Sequence, residues 1–373
     1  MTILQICSSY FNTSLFRCLF SKLEALEIRN YVYVPRYHSE GENIPKHIYV
    51  TNKDFSKLAK LFYWGEQRYI LKDIEKRINL SEIDIVHVHR ILYGGYAALQ
   101  LKKKFGIPYI VAIRYSDLYG KGRNMSVFRN HCLEIMQNAE KVIFISNAYK
   151  EKVWNNYSAK PSILQIMERS ETITNGIDDY FLMNMASKGS HRLVNGQIRL
   201  FALGTIDQRK NQITTLKACD ILIGKGYKVE YDYAGKNCDE TVFSTIQQKA
   251  YSHYLGLLNK EQVREQLLNS DILVVPSVHE TFGLVYAEAM SQGIPVIYTR
   301  GQGFDGQYKD GEVGFSVDCF NENEIADCII KIMSDYQNIS DRCIGYAKRY
   351  SWQSIAEKYK DTYLKCLRKG VNG

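Results

Sequence analysis

Nine short apolar runs, separated by longer stretches of helical spacing, set the tightest limit on what this chain can fold into. The runs are Ile3 to Cys7, Tyr31 to Val34, Ile83 to His87, Ile107 to Ile113, Lys141 to Ser146, Ile198 to Leu203, Val229 to Ala234, Asp271 to Pro276 and Ile294 to Tyr298. Most intervals between them hold ten or more residues with helical spacing, as over 211–223, where Ile213, Leu216, Ile221 and Leu222 form an imperfect apolar stripe. Alternation of this kind predicts α/β architecture, with doubly wound parallel sheets carrying helices on both faces.

A chain of 373 residues holds two such domains, or at most three. The segment from Asp178 to Gly196, rich in Asp, Asn, Ser and Gly, breaks the rhythm and marks the boundary. The expected division is 1–180, 181–350 and a terminal helical piece, 351–373. Hydrophobic residues at 45% and charged residues at 24% exclude a disordered or fibrous chain. No apolar run approaches the roughly 18 residues of a membrane span. The opening MTILQICSSYF has no basic start and reads as a first strand, so a cytoplasmic location is expected. Nine Cys without a C-x-x-C pair read as scattered thiols, with neither disulfide nor metal expected. The net charge of +8 is modest, and its acidic partners would be phosphorylated small molecules or an anionic membrane face, not nucleic acid.

The stretch PSVHETFGLVYAEAMSQGIPVI, residues 276–297, carries the most chemistry. A buried strand ends at Pro276, and a helix is expected to start near Phe282 or Gly283 and to end near Gly293. The N–H groups of Thr281, Phe282, Gly283 and Leu284 would then face an anion at the positive end of the helix dipole. Glu280 lies just outside that terminus, and Glu288 sits within the helix beyond its first turn. Alone, either glutamate would pass for a capping or surface residue, but Glu288 is flanked by Tyr286, Ala287, Ala289 and Met290, and an acid there asks for a partner. Gly204 follows another strand, with Arg209 and Lys210 opening the next helix, which puts two cations at one strand end. The glycine-rich stretch 299–314 adds Gly301, Gly303 and Asp305 as contacts. In the first half His87, His89 and Arg90 follow one strand, and Arg114 and Asp117 follow the next. One histidine of the pair is structural, and His89 is taken as the one facing a cleft between the domains.

In the setting PSxxETFGLxxxEAMxxGxPVI, Glu280 and Glu288 resemble the signature of retaining glycosyltransferase family 4, whose fold is GT-B. HVHRILYGGYAA (87–98), GIPYIVAIRYSD (106–117), VIFISNAYKEKV (142–153), TNGID (174–178), LGTIDQRKN (203–211) and SWQSIAEKY (351–359) fall in the same order as in that family. The resemblance implies two Rossmann-like domains and a last helix that crosses back onto the first. It implies that Glu280 contacts the donor sugar, that Glu288 binds the nucleotide ribose and that Arg209 and Lys210 grip the diphosphate. Glu280, Lys210, Arg209 and His89 are thus the expected catalytic set. Glu288, Thr281, Phe282, Gly283, Leu284, Gly204, Arg114 and Asp117 are expected at the donor. Three departures stand out. Thr205 occupies a place where many relatives have Arg, so Arg209 is expected to take over. Arg114 stands where some relatives have His, and SSYFNTSLF lacks paired glycines.

The expected activity is therefore retaining hexosyl transfer from a nucleotide-diphosphate sugar, a UDP-sugar before a GDP-sugar. The acceptor would be glycan, lipid-linked or protein-linked, in polysaccharide or glycoconjugate assembly, with the enzyme cytoplasmic or at the inner membrane face. No cofactor or metal is expected, because the protein's own cations would neutralise the leaving diphosphate. Acceptor choice is assigned to the loops Phe11 to Phe16 and His38 to Leu61. A non-catalytic nucleotide-sugar-binding subunit and a same-fold epimerase or phosphorylase are the alternatives. A dinucleotide oxidoreductase is disfavoured because no G-x-G-x-x-G follows the first strand.

Overall fold

A computed structural model of the chain describes residues 1–35, 47–51, 63–119, 125–190, 193 and 196–369. Most of the loop His38 to Leu61 thus lies outside the described residues. The chain divides into two units. One comprises Met1–Ile145, Tyr149–Asn175 and Trp352–Gly373, and the other Ser146–Ala148 and Gly176–Ser351.

The first unit opens with β1 (Thr2–Ile6), α1 (Ser14–Ala25), β2 (Arg29–Val34), β3 (Ile48–Val50) and α2 (Tyr63–Arg77). It continues through β4 (Ile85–Val88), α3 (Gly95–Phe105), β5 (Tyr109–Ile113), α4 (Tyr115–Tyr119), α5 (Arg129–Asn138), β6 (Lys141–Phe144), α6 (Asn147–Tyr157), α7 (Ser162–Glu168) and β7 (Ser170–Thr172). The sheet order is β3-β2-β1-β4-β5-β6-β7, and every pairing is parallel. All residues of β4 and β5 are buried, as strands covered on both faces must be.

The second unit contains α8 (Asp179–Met183), β8 (Gln197–Leu203), α9 (Gln212–Gly224), β9 (Lys228–Ala234), α10 (Glu240–Gln247), β10 (Ser252–Tyr254), α11 (Lys260–Asn269) and β11 (Ile272–Val274). There follow α12 (Leu284–Ser291), β12 (Val296–Thr299), β13 (Gly314–Val317), α13 (Glu322–Ser334) and α14 (Tyr336–Ala347). This sheet is also parallel, in the order β10-β9-β8-β11-β12-β13. Asp271, fully buried, pairs with Arg199 at 2.6 Å and ties the start of β11 to β8.

The last helix, α15 (Trp352–Lys369), belongs to the first unit. Thr13 caps α1 by accepting the Leu15 N–H at 3.3 Å, and α1 buries Phe16, Leu19, Phe20 and Leu23 at helical spacing. Trp352, Ile355, Ala356, Tyr359, Tyr363 and Cys366 of α15 complete that core. Among the described residues no helix is long and apolar enough to cross a membrane.

Both sheets reverse their winding once, between β1 and β4 in the first unit and between β8 and β11 in the second. The carboxyl ends of those strands are where a doubly wound sheet leaves a crevice for a ligand.

Candidate functional site

At the second unit's reversal, β8 is followed by Gly204, whose φ of 148° lies in the region open to glycine alone. A Cβ there would stand 3.0 Å from Lys210 Cε, so the bare backbone makes room for that side chain. Asp207 shapes the loop. Its Oδ1 accepts the Lys210 N–H at 2.8 Å, and its Oδ2 accepts the Thr205 hydroxyl at 2.7 Å. Asn211, in left-handed backbone at φ 58°, starts α9 and donates to the carbonyls of Pro276 (3.2 Å) and Cys319. Asparagine tolerates that conformation, so one residue both begins a helix and straps the β8 loop to the β11 loop.

The strap brings the cations to the carboxylate. Lys210 Nζ lies 2.5 Å from Glu280 Oε2, with both side chains almost buried. Ser277 Oγ donates to the same oxygen at 3.2 Å, and the Thr281 N–H donates to Oε1 at 3.1 Å. The Glu280 backbone is clasped by the next loop, where Gln302 Oε1 accepts its N–H at 3.3 Å and the Gly303 N–H donates to its carbonyl at 3.1 Å. A Cβ on Gly303 would stand 2.2 Å from the Thr281 carbonyl oxygen, which explains the glycine. Asp305 supports the loop by accepting the Gly301 N–H at 2.6 Å. Arg209 bends back over Thr205, donating to its Oγ1 at 3.0 Å and to the His279 carbonyl at 3.4 Å.

Helix α12 starts at Leu284 with Gly283 as its cap. Among the described residues no oxygen accepts from the N–H groups of Phe282, Gly283 and Leu284. Thr281 departs from expectation, because its N–H is committed to Glu280 and is not a free donor. The Phe282 ring is buried between Phe304 and Tyr350 and anchors the loop. Glu288 lies half-buried on α12, and its carboxylate has no hydrogen-bond or ion-pair partner among the described residues. Burial, helped by the Asp178 carboxylate, raises its pKa to about 7.

In the first unit two expectations need correction. His89 is fully buried, with Nε2 2.8 Å from Gln5 Oε1 and its ring 3.9 Å from that of His87. His87, equally buried, places Nδ1 2.7 Å from the Tyr363 hydroxyl. All these partners lie inside the first unit's own core, so both histidines are structural. Burial holds both well below the usual histidine range, with the Arg114 charge adding to it. Asp117 is also fully buried. It accepts the Arg114 N–H at 2.9 Å and stands 3.9 Å from Arg90, so it organises strand ends and does not meet a ligand. Arg114 is half-buried and donates to the His89 carbonyl and to Asn175.

The structure thus gathers Gly204, Arg209, Lys210, Glu280, Gly301, Gly303 and Asp305, with Phe282 to Leu284 at the neighbouring helix start. Asp207, Asn211, Ser277 and Gln302 escaped the sequence reading. Asp207 and Asn211 bracket the Arg-Lys pair at helix-capping positions, which was the available signal.

Two parallel Rossmann-like sheets in one chain, each with charged residues at the carboxyl edge of its winding reversal, define the GT-B class. Sucrose-phosphate synthase of Thermosynechococcus elongatus matches over 99% of this chain and 100% of its own, at TM-score 0.73 and 16% identity. Anabaena HepE, solved in complex with UDP, matches over 98% of this chain and 100% of its own, at TM-score 0.69 and 16% identity. Residues 185–350 match the glycosyl transferases group 1 and residues 17–180 match glycosyltransferase family 4. The chain belongs to these glycosyltransferases. An uncharacterized glycosyltransferase of Methanocaldococcus jannaschii is 25% identical over 342 residues, 89% of each chain.

Proposed function

We propose that the protein transfers a hexose, with retention, from a nucleotide-diphosphate sugar to a glycan, lipid-linked or protein-linked acceptor. The observation that carries this reading is the meeting of Lys210 with Glu280 at 2.5 Å, beside Arg209 and the open N–H groups of Phe282, Gly283 and Leu284. Departure of the diphosphate builds negative charge. Two cations and a helix start held in place beforehand offset it without reorganising, an effect of a few kcal/mol per well-placed donor. Glu280, held on both oxygens, is a fixed acceptor for a sugar hydroxyl. Glu288 offers the ribose hydroxyls a carboxylate that has no partner to give up among the described residues. The cations that meet the diphosphate are the protein's own, which supports a metal-independent reaction.

HepE holds UDP in its solved complex, which favours uridine over guanosine for this chain as well. An anionic membrane remains part of the proposal for a lipid-linked acceptor. Lys358, Lys365 and Arg368 lie on the exposed face of α15. The one basic run, Lys102 to Lys104, contributes nothing there, because its three ammonium groups pair with Glu140, Glu134 and Glu75 at 2.5, 2.8 and 2.7 Å.

The test is a thermal-shift panel of UDP, GDP, ADP and their sugars, followed by product analysis with the stabilising donor. A ligand at a hundred times its Kd stabilises by about 2.7 kcal/mol. UDP-sugars are expected to raise Tm most. An unchanged Tm across the whole panel would defeat the proposal.

A further inference from the structure

The first unit's winding reversal carries a charge imbalance that the diphosphate site does not use. Arg90 follows β4 and Arg114 follows β5. Cys7 follows β1, and both guanidiniums act on its thiol, which burial nevertheless pushes up to about 12. β4 lies next to β1 in the sheet and β5 next to β4, and Arg114 donates to the carbonyl of His89, whose N–H in turn bonds the Ile6 carbonyl at the end of β1. Among the described residues a single carboxylate, Asp117, meets both arginines. Its Oδ2 is spent on the Arg114 backbone N–H, and its Oδ1 lies 3.9 Å from Arg90 Nε, too far for a hydrogen bond.

The two guanidiniums are otherwise met by neutral groups. Arg114 donates to the His89 carbonyl at 3.3 Å and to Asn175 Oδ1 at 3.1 Å, and it lies 5.6 Å from the Phe16 ring centre. Arg90 stacks 4.1 Å from the Tyr93 ring centre with its side chain 19% exposed, and its buried Nε has no hydrogen-bond partner among the described residues. Ser8 Oγ, just past the end of β1, is buried and likewise without a partner among the described residues. The neighbouring His87 and His89 are neutral, since burial holds both far below the usual range. Two permanent cations thus share one carboxylate that burial pulls toward protonation against the attraction of Arg90 and Arg114. By contrast, Lys102, Lys103 and Lys104 of this unit each pair with a glutamate of their own. Guanidiniums withdrawn from water without a counter-charge are costly, and their planar forks fit carboxylate and phosphate.

We propose that Arg90 and Arg114 form an anion subsite at the first unit's winding reversal, which receives a carboxylate or phosphate carried by one of the two substrates. This rests on the sugar-transfer reading and adds to it that one substrate is anionic beyond the nucleotide diphosphate. Asp117 is a positioning residue, holding Arg114 by its backbone while leaving its guanidinium uncommitted to any carboxylate.

The probes are inorganic phosphate and succinate, titrated calorimetrically at saturating UDP, so that the diphosphate site is filled. Wild-type protein is expected to bind at least one of them. Arg90→Gln and Arg114→Gln are each expected to weaken that binding at least about tenfold, or about 1.4 kcal/mol. Arg90→Lys and Arg114→Lys, which keep the charge and lose the fork, should fall in between, and they replace the glutamine variants if circular dichroism shows those unfolded. The same titrations in Lys210→Ala protein decide the subsite even if UDP does not bind, an outcome that would instead sink the sugar-transfer reading. A donor source predicts that wild type prefers UDP-glucuronate to UDP-glucose and that Arg114→Gln erases the preference. An acceptor source predicts equal donors and phosphate binding undiminished by either. Equal binding of both probes by wild type and variants, or none by wild type, overturns the proposal.

Discussion

Lys210 and Glu280, seventy positions apart in the chain, meet at 2.5 Å with side chains only 11% and 10% exposed. A pair this sheltered is costly to break, because the surviving partner is left as an unmatched charge. Lys210→Met is expected to destabilise the protein by about 3 kcal/mol, and Glu280→Gln by somewhat less, because the Thr281 N–H can still donate to the amide oxygen and the Ser277 hydroxyl can turn to accept from the amide NH2. The double variant should recover most of the Lys210→Met loss while sugar transfer stays abolished. Denaturant unfolding of the three proteins checks this, and simple addition of the two single losses would mean that the residues do not act as a pair.

Thr205 has taken on a task opposite in kind to that of an arginine, since it receives a guanidinium in place of supplying one. Its Oγ1 accepts from Arg209 at 3.0 Å and its hydroxyl donates to Asp207 at 2.7 Å. Thr205→Val removes both bonds at constant shape, whereas Thr205→Ser keeps them. We expect the valine variant to weaken UDP binding about fivefold, or about 1 kcal/mol, and the serine variant to match wild type. Equal affinities for valine and serine would show that Arg209 holds its place without the tether.

Much of the architecture was legible in the sequence for a reason the strands themselves display. All nine apolar runs became interior strands, β1, β2, β4, β5, β6, β8, β9, β11 and β12. The four strands the runs did not announce are the four edges, β3, β7, β10 and β13. Their sequences, IYV, SET, SHY and GFSV, are short and partly polar, because an edge pairs on one side only and needs no continuous apolar run. Spacing and residue type likewise located Glu280, Lys210 and Gly303. They did not locate the hydrogen bonds that orient them, because Asn211 and Gln302 act through tertiary contacts that no local pattern encodes, whereas Asp207 bonds to its near neighbours Thr205 and Lys210. The histidines failed for the opposite reason. A His-x-His at a strand end looks catalytic, and only Gln5, Tyr359 and Tyr363, brought in from β1 and α15, reveal it as core.

The buried histidines give the first unit an acid limit. Unfolded histidine takes up a proton near pH 6.5, while folded His87 and His89 resist it far below that value. Stability is therefore complete above pH 6.5 and falls as pH drops through and below it, since the unfolded chain binds more protons. Tyr363→Phe removes the hydroxyl 2.7 Å from His87 Nδ1 and leaves a buried ring nitrogen unmatched, at a cost of about 1 to 3 kcal/mol. Unfolding curves between pH 4.5 and 8 should show the acid loss in wild type and a uniformly lower curve for the variant. A flat wild-type profile would place the histidines in a wetter setting than the structure does.

Glu288 carries the opposite sign. Its carboxyl titrates near 7 in the folded protein against an ordinary value of 4.5. Below pH 4.5 both states hold the proton and the residue is neutral to stability. Between 4.5 and 7 the unfolded chain releases its proton first, so stability falls as pH rises, and above 7 the penalty levels off at about 3 kcal/mol. Glu288→Gln should therefore raise Tm at pH 8 and leave it unchanged at pH 4. If the ribose hydroxyls bind the ionised carboxylate, donor binding must drive the proton off. UDP-glucose has no ionisation of its own across this range, so its affinity for wild type should rise about twentyfold from pH 5.5 to 7.5, a gain the glutamine variant lacks. A glutamine variant with the same pH slope would mean that another group titrates on binding, and the ribose role of Glu288 would fall while its stability penalty stood.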